Sequence, residues 1–473
     1  MKPRHDISVA RVRDAWRQSA IPMLCEYVRI PNKSPAFDPE WAANGYMDRA
    51  AELLRNWIRA QPVRGLSCEI VRASGRTPLL YAEIAGDTPE TILLYGHFDK
   101  QPECGRWRED LGPWSPVLRN GRLYGRGAAD DGYAVCAALI AIGALQAQGL
   151  PHARCVILIE GCEESASRDL PFYIEMLGAL IGEPSLVICL DAECANYDQL
   201  WCTTSLRGVV NGTLRVATQR EGTHSGGAGG VVPAPFRVAR QLLSRIECER
   251  SGELLLDSLN VAIPDDRVRE AQAMAHLIGD ASNRRSTLLP GVRLLHEDTV
   301  ELLLNNTWRP ALTVIGADGL PPIAGAGNVL LPDIALQLSV RIPPSVDSSL
   351  AAAAIKQVLE RDSPYGAHVA FEVGTQASGW VAPRFEPWLA ESVEYASQRF
   401  FGRSTGYMGA GGSIPFMSML GARFPATQFL VTGVVGPEAN AHGPNEFLEI
   451  ATAMNVTLCV AAVIADHAAR KHA

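Results

Sequence analysis

Acidic residues and a histidine follow short apolar runs in the first half of the chain. His97 and Asp99 follow the run Thr91–Tyr95, and Asp191 follows the run Leu186–Leu190. Carboxylate and imidazole groups are ligands that suit Zn, Mn and related divalent ions. The residue types at the ends of these runs therefore favour a metal site.

Two acidic pairs have the same setting. Asp130 and Asp131 lie between a short strand signal and a helix signal, and Glu163 and Glu164 follow the apolar run Cys155–Ile159. Because ligands bind at the carboxyl ends of strands in open α/β sheets, we expect these acids to meet His97 and Asp191 at one edge. Carboxylates gathered there would repel one another and have raised pKa values. A bound divalent cation would relieve this repulsion.

Each motif has an ordinary structural explanation when it is considered alone. A histidine two residues before an aspartate is more often a hydrogen-bonded strand end, and adjacent aspartates are most often a helix N-cap. Adjacent glutamates usually begin a solvated helix. The order and context of all four segments carry the inference.

The elements that must position these side chains alternate between strand and helix. The N-terminal part has predicted strands at Leu79–Ile84, Thr91–Tyr95, Cys155–Ile159 and Leu186–Leu190 and a helix at Tyr133–Gln146. The middle has alternating strands at Val209–Ala217 and Ile334–Ile342, helices near Phe236–Ile246 and Ser349–Leu359, and a polar, partly helical stretch at Asp265–Leu295. Apolar helices follow at Trp388–Phe401 and Ala451–Ala469. This order predicts an α/β layer architecture with a smaller insertion.

The composition excludes several classes of protein. Of the 473 residues, 47% are hydrophobic and 20% are charged, so we do not expect a disordered chain. The net charge is -8, so we do not expect a basic surface that binds nucleic acid. We expect no membrane span and no secretory signal, because the longest apolar runs are too short and the start is charged. The eleven cysteines include no CxxC pair and indicate free thiols in the cytoplasm.

The ordered motifs resemble those of the M20 metallopeptidases, within them the dipeptidase and carnosinase-like branch. The resemblance covers nearly the whole chain. It rests on Gly96-His97-Phe98-Asp99, Leu123-Tyr124-Gly125-Arg126-Gly127 leading into Asp130-Asp131, Glu160-Gly161-Cys162-Glu163-Glu164, Leu190-Asp191, Gly411-Gly412-Ser413-Ile414-Pro415 and Ala441-His442-Gly443-Pro444-Asn445-Glu446. It implies a mixed-sheet α/β/α catalytic domain, residues 1–205 and 377–473, and an inserted smaller α+β lid and dimerisation domain, residues 206–376.

The resemblance implies a site for two divalent ions, Zn or Mn. His97 and Asp191 would bind one ion, and Glu164 and His442 the other. Asp130 would bridge both ions, since its two oxygens can each face one.

Two further acids would assist this site. The resemblance implies that Asp99 orients His97, and that Glu163 is the general base, which takes a proton from the metal-bound water. The resemblance also suggests that Asp at position 191 marks the dipeptidase and aminopeptidase branches, whereas Glu is commoner in the deacylase branches.

The resemblance also implies groups that bind the substrate. His224 would reach the site of a neighbouring subunit in a homodimer formed through the inserted domain, and Arg341 would hold the substrate carboxylate. Asn328, Gly412 and Ser413 would make smaller contacts.

The expected function is that of a metal-dependent exopeptidase that hydrolyses dipeptides or short peptides. The metal core leaves open an N-acyl-amino-acid deacylase or a carbamoyl amidohydrolase. A non-catalytic binding scaffold is disfavoured, because such proteins are expected to lose metal ligands or the base, and here all are present.

Overall fold

The structure is a computed structural model that describes residues 6–279 and 288–470. The chain divides into two compact units. The first comprises Met1–Thr204, Ala382–Met408 and Met419–Ala473, and the second comprises Ser205–Val381 and Gly409–Ser418. The short segment Gly409–Ser418 thus groups with the second unit, although it lies within the region 377–473 that we assigned to the first. The stretch 280–287, part of the polar region 265–295, lies outside the described residues.

Most of the predicted elements are present, and their ends lie within three residues of the predicted ones. The helices of the described residues are α1 (Val9–Ala15), α2 (Ile21–Val28), α3 (Trp41–Asn44), α4 (Tyr46–Arg59), α5 (Tyr133–Ala147), α6 (Leu170–Met176), α7 (Gly178–Ile181), α8 (Ser225–Ala228), α9 (Pro235–Leu243), α10 (Asp265–Ile278), α11 (Thr299–Thr307), α12 (Ser348–Glu360), α13 (Pro387–Phe400), α14 (Pro415–Arg423) and α15 (Ile450–Ala469). A π-helical turn, Trp16–Ala20, joins α1 to α2.

The strands include several that the sequence did not indicate. They are β1 (Leu66–Val71), β2 (Leu79–Ile84), β3 (Thr88–His97), β4 (Val117–Arg119), β5 (Arg122–Tyr124), β6 (Ala153–Glu160), β7 (Pro184–Cys189), β8 (Trp201–Leu206), β9 (Gly208–Ala217), β10 (Thr223–His224), β11 (Ala311–Asp318), β12 (Val329–Leu330), β13 (Asp333–Ile342), β14 (His368–Ala377), β15 (Trp380–Val381), β16 (Gly406–Ala410), β17 (Gln428–Val431) and β18 (Phe447–Glu449).

The first unit is built on a six-stranded mixed sheet in the order β1-β2-β6-β3-β7-β17. Strands β6, β3, β7 and β17 run parallel, whereas β1 and β2 pair antiparallel at one side. Apolar runs buried on both faces are typical of parallel strands, which explains why β3, β6 and β7 were visible in the sequence. The mixed α/β fold class is confirmed.

Two helical stretches of this unit are long and apolar enough to cross a membrane by length and composition, Ala128–Ala147 and Ile450–Ala469. Both are mostly buried inside the protein, and α15 packs against α5 and α13. The uninterrupted apolar runs of the sequence are shorter than these helices, because buried polar residues such as Thr452 and Thr457 belong to the helices.

The second unit is built on a four-stranded antiparallel sheet in the order β11-β13-β9-β14. Its buried residues form a separate core with residues of α9 and α12. The short strands β10 and β12 pair apart from this sheet, and they place His224 opposite Val329. One face of the sheet is therefore packed on helices, as the alternation of β9 and β13 predicted.

Candidate metal centre

Five of the predicted site residues follow the strands of the first unit. His97 ends β3, Glu164 lies in a helical turn after β6, and Asp191 comes two residues after β7. Asp130 precedes α5, and His442 lies in the loop between β17 and β18. Since β6, β3 and β7 are parallel neighbours, their carboxyl ends bring these residues to one sheet edge.

The carboxylate of Asp130 lies between two imidazoles. The distance from Nε2 of His97 to Oδ1 of Asp130 is 3.0 Å, and the distance from Nε2 of His442 to Oδ2 is also 3.0 Å. Nε2 of His97 lies 3.9 Å from Oδ1 of Asp191, and Nε2 of His442 lies 3.3 Å from Oε2 of Glu164. The two oxygens of Asp130 thus belong to two different groups of side chains.

Each group offers three ligand atoms that lie within 4.8 Å of one another. The groups are His97 with Asp130 and Asp191, and Asp130 with Glu164 and His442. The buried Oε1 atom of Glu164 has no hydrogen-bond partner in the described residues. An unpaired buried carboxylate oxygen is costly unless a cation or a proton faces it. The donor set of each group, imidazole and carboxylate, fits a divalent transition metal.

Burial and the charges of neighbouring side chains both shift the pKa values of this group. Burial, reinforced by the charge of Asp130, raises the pKa of Asp191 to about 6 and that of Glu164 to about 8. Burial opposes protonation of His442, but its hydrogen bond to Asp130 and the charges of Glu164, Asp130 and Glu446 together raise its pKa to about 9. For His97 burial also opposes protonation, and nearby carboxylates raise the pKa well above its usual value. Divalent cations would take the place of the protons that these groups hold.

Asp99 connects the segment of His97 to the segment of the two glutamates. Nδ1 of His97 lies 3.1 Å from the main-chain oxygen of Asp99 and 3.4 Å from its carboxylate Oδ1. The two carboxylate oxygens of Asp99 accept the main-chain N–H groups of Glu163 and Glu164, each at 3.0 Å. One buried aspartate therefore fixes the ring of His97 and also the turn that presents Glu164.

Glu163 belongs to neither ligand group. It is partly buried beside the metal centre, and burial, followed by the charge of Asp191, raises its pKa well above the usual value of a glutamate. Its neighbour Glu164 also accepts a hydrogen bond from Nε2 of Gln101 at 2.5 Å. The two adjacent glutamates thus have different surroundings.

Sequence reasoning missed a buried ion pair behind the centre. Nη1 of Arg126 donates to Oε2 of Glu446 at 2.7 Å, and both side chains are almost fully buried. The other oxygen of Glu446 accepts the N–H groups of Gly127, Ala129 and Asp130 at 3.0, 3.2 and 3.3 Å. Arg126 also donates to the main-chain oxygen of Gly443 at 2.6 Å.

This pair holds two ligand segments together, because Asp130 follows Arg126 and His442 precedes Gly443. Both residues lie in motifs already singled out, Gly125–Gly127 and Ala441–Glu446. Charged residues within an otherwise apolar or glycine-rich motif were the signal that could have revealed the pair.

The remaining predicted residues lie in the second unit. His224 is exposed and lies on β10, and the main-chain oxygen of Asn328 accepts the N–H of Ser225 at 2.9 Å. Nη1 of Arg341 donates to Oγ of Ser413 at 3.2 Å. The structure therefore brings the segments of His224 and Asn328 together, and separately brings Arg341 to Ser413. Gly412 has open space where a Cβ atom would be.

A family model described as peptidase family M20/M25/M40 matches residues 93–466. The chain belongs to this family. It is a hydrolase of the metallopeptidase class, and this expectation from the sequence is confirmed.

Relatives with known names agree with the family. A cysteinylglycine-S-conjugate dipeptidase from Corynebacterium striatum is 29% identical over 391 residues, which cover 78% of this chain and 78% of that protein. A Beta-Ala-His dipeptidase from Homo sapiens is 27% identical over 372 residues, covering 72% of this chain and 68% of the relative. The solved structure of the dipeptidase Dug1p from Saccharomyces cerevisiae has a TM-score of 0.78 and 20% identity, covering 99% of this chain and 100% of that chain, and shows the shared fold.

We predict that Glu446→Gln weakens metal binding about 10- to 100-fold, because the segments of Asp130 and His442 lose their common anchor. Breaking this buried pair should also lower the free energy of unfolding by about 3–5 kcal/mol. Chelator competition and urea unfolding measure the two effects.

Glu449→Gln is the matched control, since Glu449 forms a more exposed pair with Arg122 at 2.9 Å. This substitution should cost at most about 1 kcal/mol and leave metal affinity unchanged. Equal effects of the two substitutions would show that the Arg126 pair does not support the centre.

Proposed function

We propose that this protein is a dinuclear metal-dependent exopeptidase that hydrolyses dipeptides or similar short peptides. The observation that carries the proposal is the position of Asp130, whose two oxygens each face a different imidazole and a different group of ligands. The dipeptidase names of the relatives support the choice of substrate.

In this proposal the two groups of side chains each hold one ion. His97 and Asp191 would hold the first, Glu164 and His442 would hold the second, and Asp130 would contribute to both. Zn and Mn both suit the imidazole and carboxylate donors. When bound, the ions would polarise the scissile carbonyl and lower the pKa of a water molecule.

Glu163 would act as the general base. It takes a proton from the attacking water while a C–O bond forms at the scissile carbonyl carbon, and it returns the proton to the leaving amine as the C–N bond breaks. Its freedom from both ligand groups supports this assignment. Asp99 would keep His97 in the orientation that metal binding needs, because it contacts Nδ1 and leaves Nε2 available.

Residues of the second unit would bind the substrate, as the family resemblance implies. Arg341, with Ser413 hydrogen-bonded to it, suits the terminal carboxylate, since a guanidinium can bind a carboxylate at two points. His224 would stabilise the developing oxyanion, and Asn328 and Gly412 would make smaller contacts.

We further propose that the second unit is a lid and dimerisation domain, and that the enzyme is a homodimer. Strand β11 lies at the edge of the described sheet and exposes apolar side chains, with Val314 45% and Ile315 57% accessible. An exposed apolar edge strand is a template for pairing with another chain. Cytoplasmic location is supported by the eleven free thiols.

Glu163→Gln should lower kcat by about 10²–10⁴-fold while metal content stays at the wild-type value, because only the proton acceptor is lost. Glu164→Gln, one residue away, should instead lose metal. Metal analysis of both purified variants, combined with steady-state kinetics, separates the two roles. Near-normal turnover by Glu163→Gln would exclude it as the base.

A substrate panel tests the proposed reaction. We expect the purified enzyme to hydrolyse unblocked dipeptides, to lose this activity in a chelator and to regain it on addition of Zn or Mn. N-acetyl and N-succinyl amino acids should be turned over at least about tenfold less efficiently. If only the acylated compounds are hydrolysed, the enzyme is a deacylase instead.

The proposed dimer predicts sedimentation at twice the 51.0 kDa mass of one chain. Ile315→Lys should shift the protein towards monomer, because it places a charge on the pairing strand. Leu350→Lys, at an exposed position of α12, is the control and should leave the dimer intact. A fully active monomer of the unsubstituted protein would contradict the proposal.

A further inference from the structure

The second unit contains a buried arginine that has no acidic partner. Arg207 lies between β8 and β9 and is only 6% exposed. No carboxylate within residues 6–279 and 288–470 lies within 4.0 Å of its guanidinium or of that of Arg341. A buried charge is costly unless it is paired, so the unpaired guanidinium of Arg207, in the same unit as the partly buried Arg341, needs an explanation.

The hydrogen bonds of Arg207 do not neutralise its charge. Its Nε donates to the main-chain oxygen of Gly411 at 3.2 Å, and its Nη1 donates to the main-chain oxygens of Asn305 and Arg309 at 3.1 and 3.2 Å. Its main-chain N–H donates to the oxygen of Ala410 at 3.3 Å. All these acceptors are neutral carbonyl groups, so the side chain is fixed in place but keeps its full positive charge.

A single hydroxyl group connects this arginine to the other. Oγ of Ser413 accepts a hydrogen bond from Nη1 of Arg341 and donates to the main-chain oxygen of Arg207, at 3.2 and 2.7 Å. Arg207 also holds the preceding residues of the same segment, at Ala410 and Gly411. The orientation of Arg341 therefore depends on a segment that Arg207 fixes.

The positive charge of Arg341 acts on the buried guanidinium of Arg207. Burial, followed by the charge of Arg341, lowers the pKa of Arg207 to about 10, and burial lowers the pKa of Arg341. Two like charges in a partly buried environment repel each other, because little water screens them. An anion beside them would remove the repulsion, and the planar fork of a guanidinium matches a carboxylate.

We propose that Arg207 is a positioning residue and the second positive charge of a carboxylate site, in which Arg341 contacts the anion. This inference rests on the proposed function, because the anion is taken to be the terminal carboxylate of a dipeptide. The pair would make the enzyme select substrates with a free terminal carboxylate and disfavour the corresponding amides.

A purely structural brace is the alternative role for Arg207, and it predicts a different result. A brace that loosens would impair turnover of all substrates alike. Loss of one charge from a carboxylate site would impair charged substrates alone. The ratio of kcat/KM for a dipeptide and for its C-terminal amide therefore separates the two roles.

The experiment uses the metal-loaded full-length enzyme with a dipeptide that it hydrolyses and the amide of that dipeptide. We expect the unsubstituted enzyme to prefer the free acid. Arg207→Met should lower kcat/KM for the acid about 10- to 100-fold, mainly through KM, and change the amide value by less than about twofold. The kcat/KM of Arg207→Lys for the acid should lie between the values of the unsubstituted enzyme and of Arg207→Met, since lysine keeps the charge but lacks the planar guanidinium.

Arg215→Met is the matched control. Arg215 lies in the same unit, but its side chain is exposed and pairs with Glu372 at 3.1 Å, so this substitution should leave both values unchanged. Thermal unfolding reports whether each variant is folded.

Three results would overturn the inference. An equal loss of kcat/KM for the acid and the amide in Arg207→Met would show that Arg207 has a structural role alone. If that variant does not fold, an unchanged acid-to-amide ratio in Arg207→Lys has the same meaning. If the unsubstituted enzyme does not prefer the dipeptide with a free carboxylate over its amide, the carboxylate site is excluded, while the proposed peptidase function stands. Failure to hydrolyse any dipeptide overturns the proposed function itself.

Discussion

The bridging position of one carboxylate constrains the whole first unit. Asp130 can face two imidazoles at 3.0 Å only if a strand end, a helix start and a distant loop meet within a few ångströms. The acids around it repel one another, and burial makes that repulsion stronger because water no longer screens it. The acids need protons or cations among them, and divalent cations that take the place of the protons connect the geometry to metal chemistry.

The fold supports this arrangement with buried polar groups that do not belong to the ligand set. Asp99 accepts the main-chain N–H groups of Glu163 and Glu164, and Glu446 accepts those of Gly127, Ala129 and Asp130. Buried ion pairs add little to stability in comparison with apolar residues of the same size. Their value here is geometric, since each fixes main-chain N–H groups and so the direction of a ligand.

The two units differ in the sign of their unpaired charge. In the first, carboxylates outnumber their cationic partners near Asp130. In the second, Arg207 and Arg341 have no acid beside them in the part of the chain that the structure describes. The proposed function would use both kinds of charge, because metal cations would activate the scissile carbonyl and a guanidinium group would bind the terminal carboxylate.

The sequence by itself determined which acids and histidines follow strands, and it located β2, β3, β6 and β7 because their apolar residues are continuous. It did not reveal β1, where Ser67 and Glu69 interrupt the apolar pattern, or the exposed strands β11 and β14. Only the tertiary structure decided that Arg126 pairs with Glu446 and that Ser413 connects Arg341 to Arg207. These residues are far apart in the chain, and a buried charge finds its partner through packing, which local periodicity does not encode.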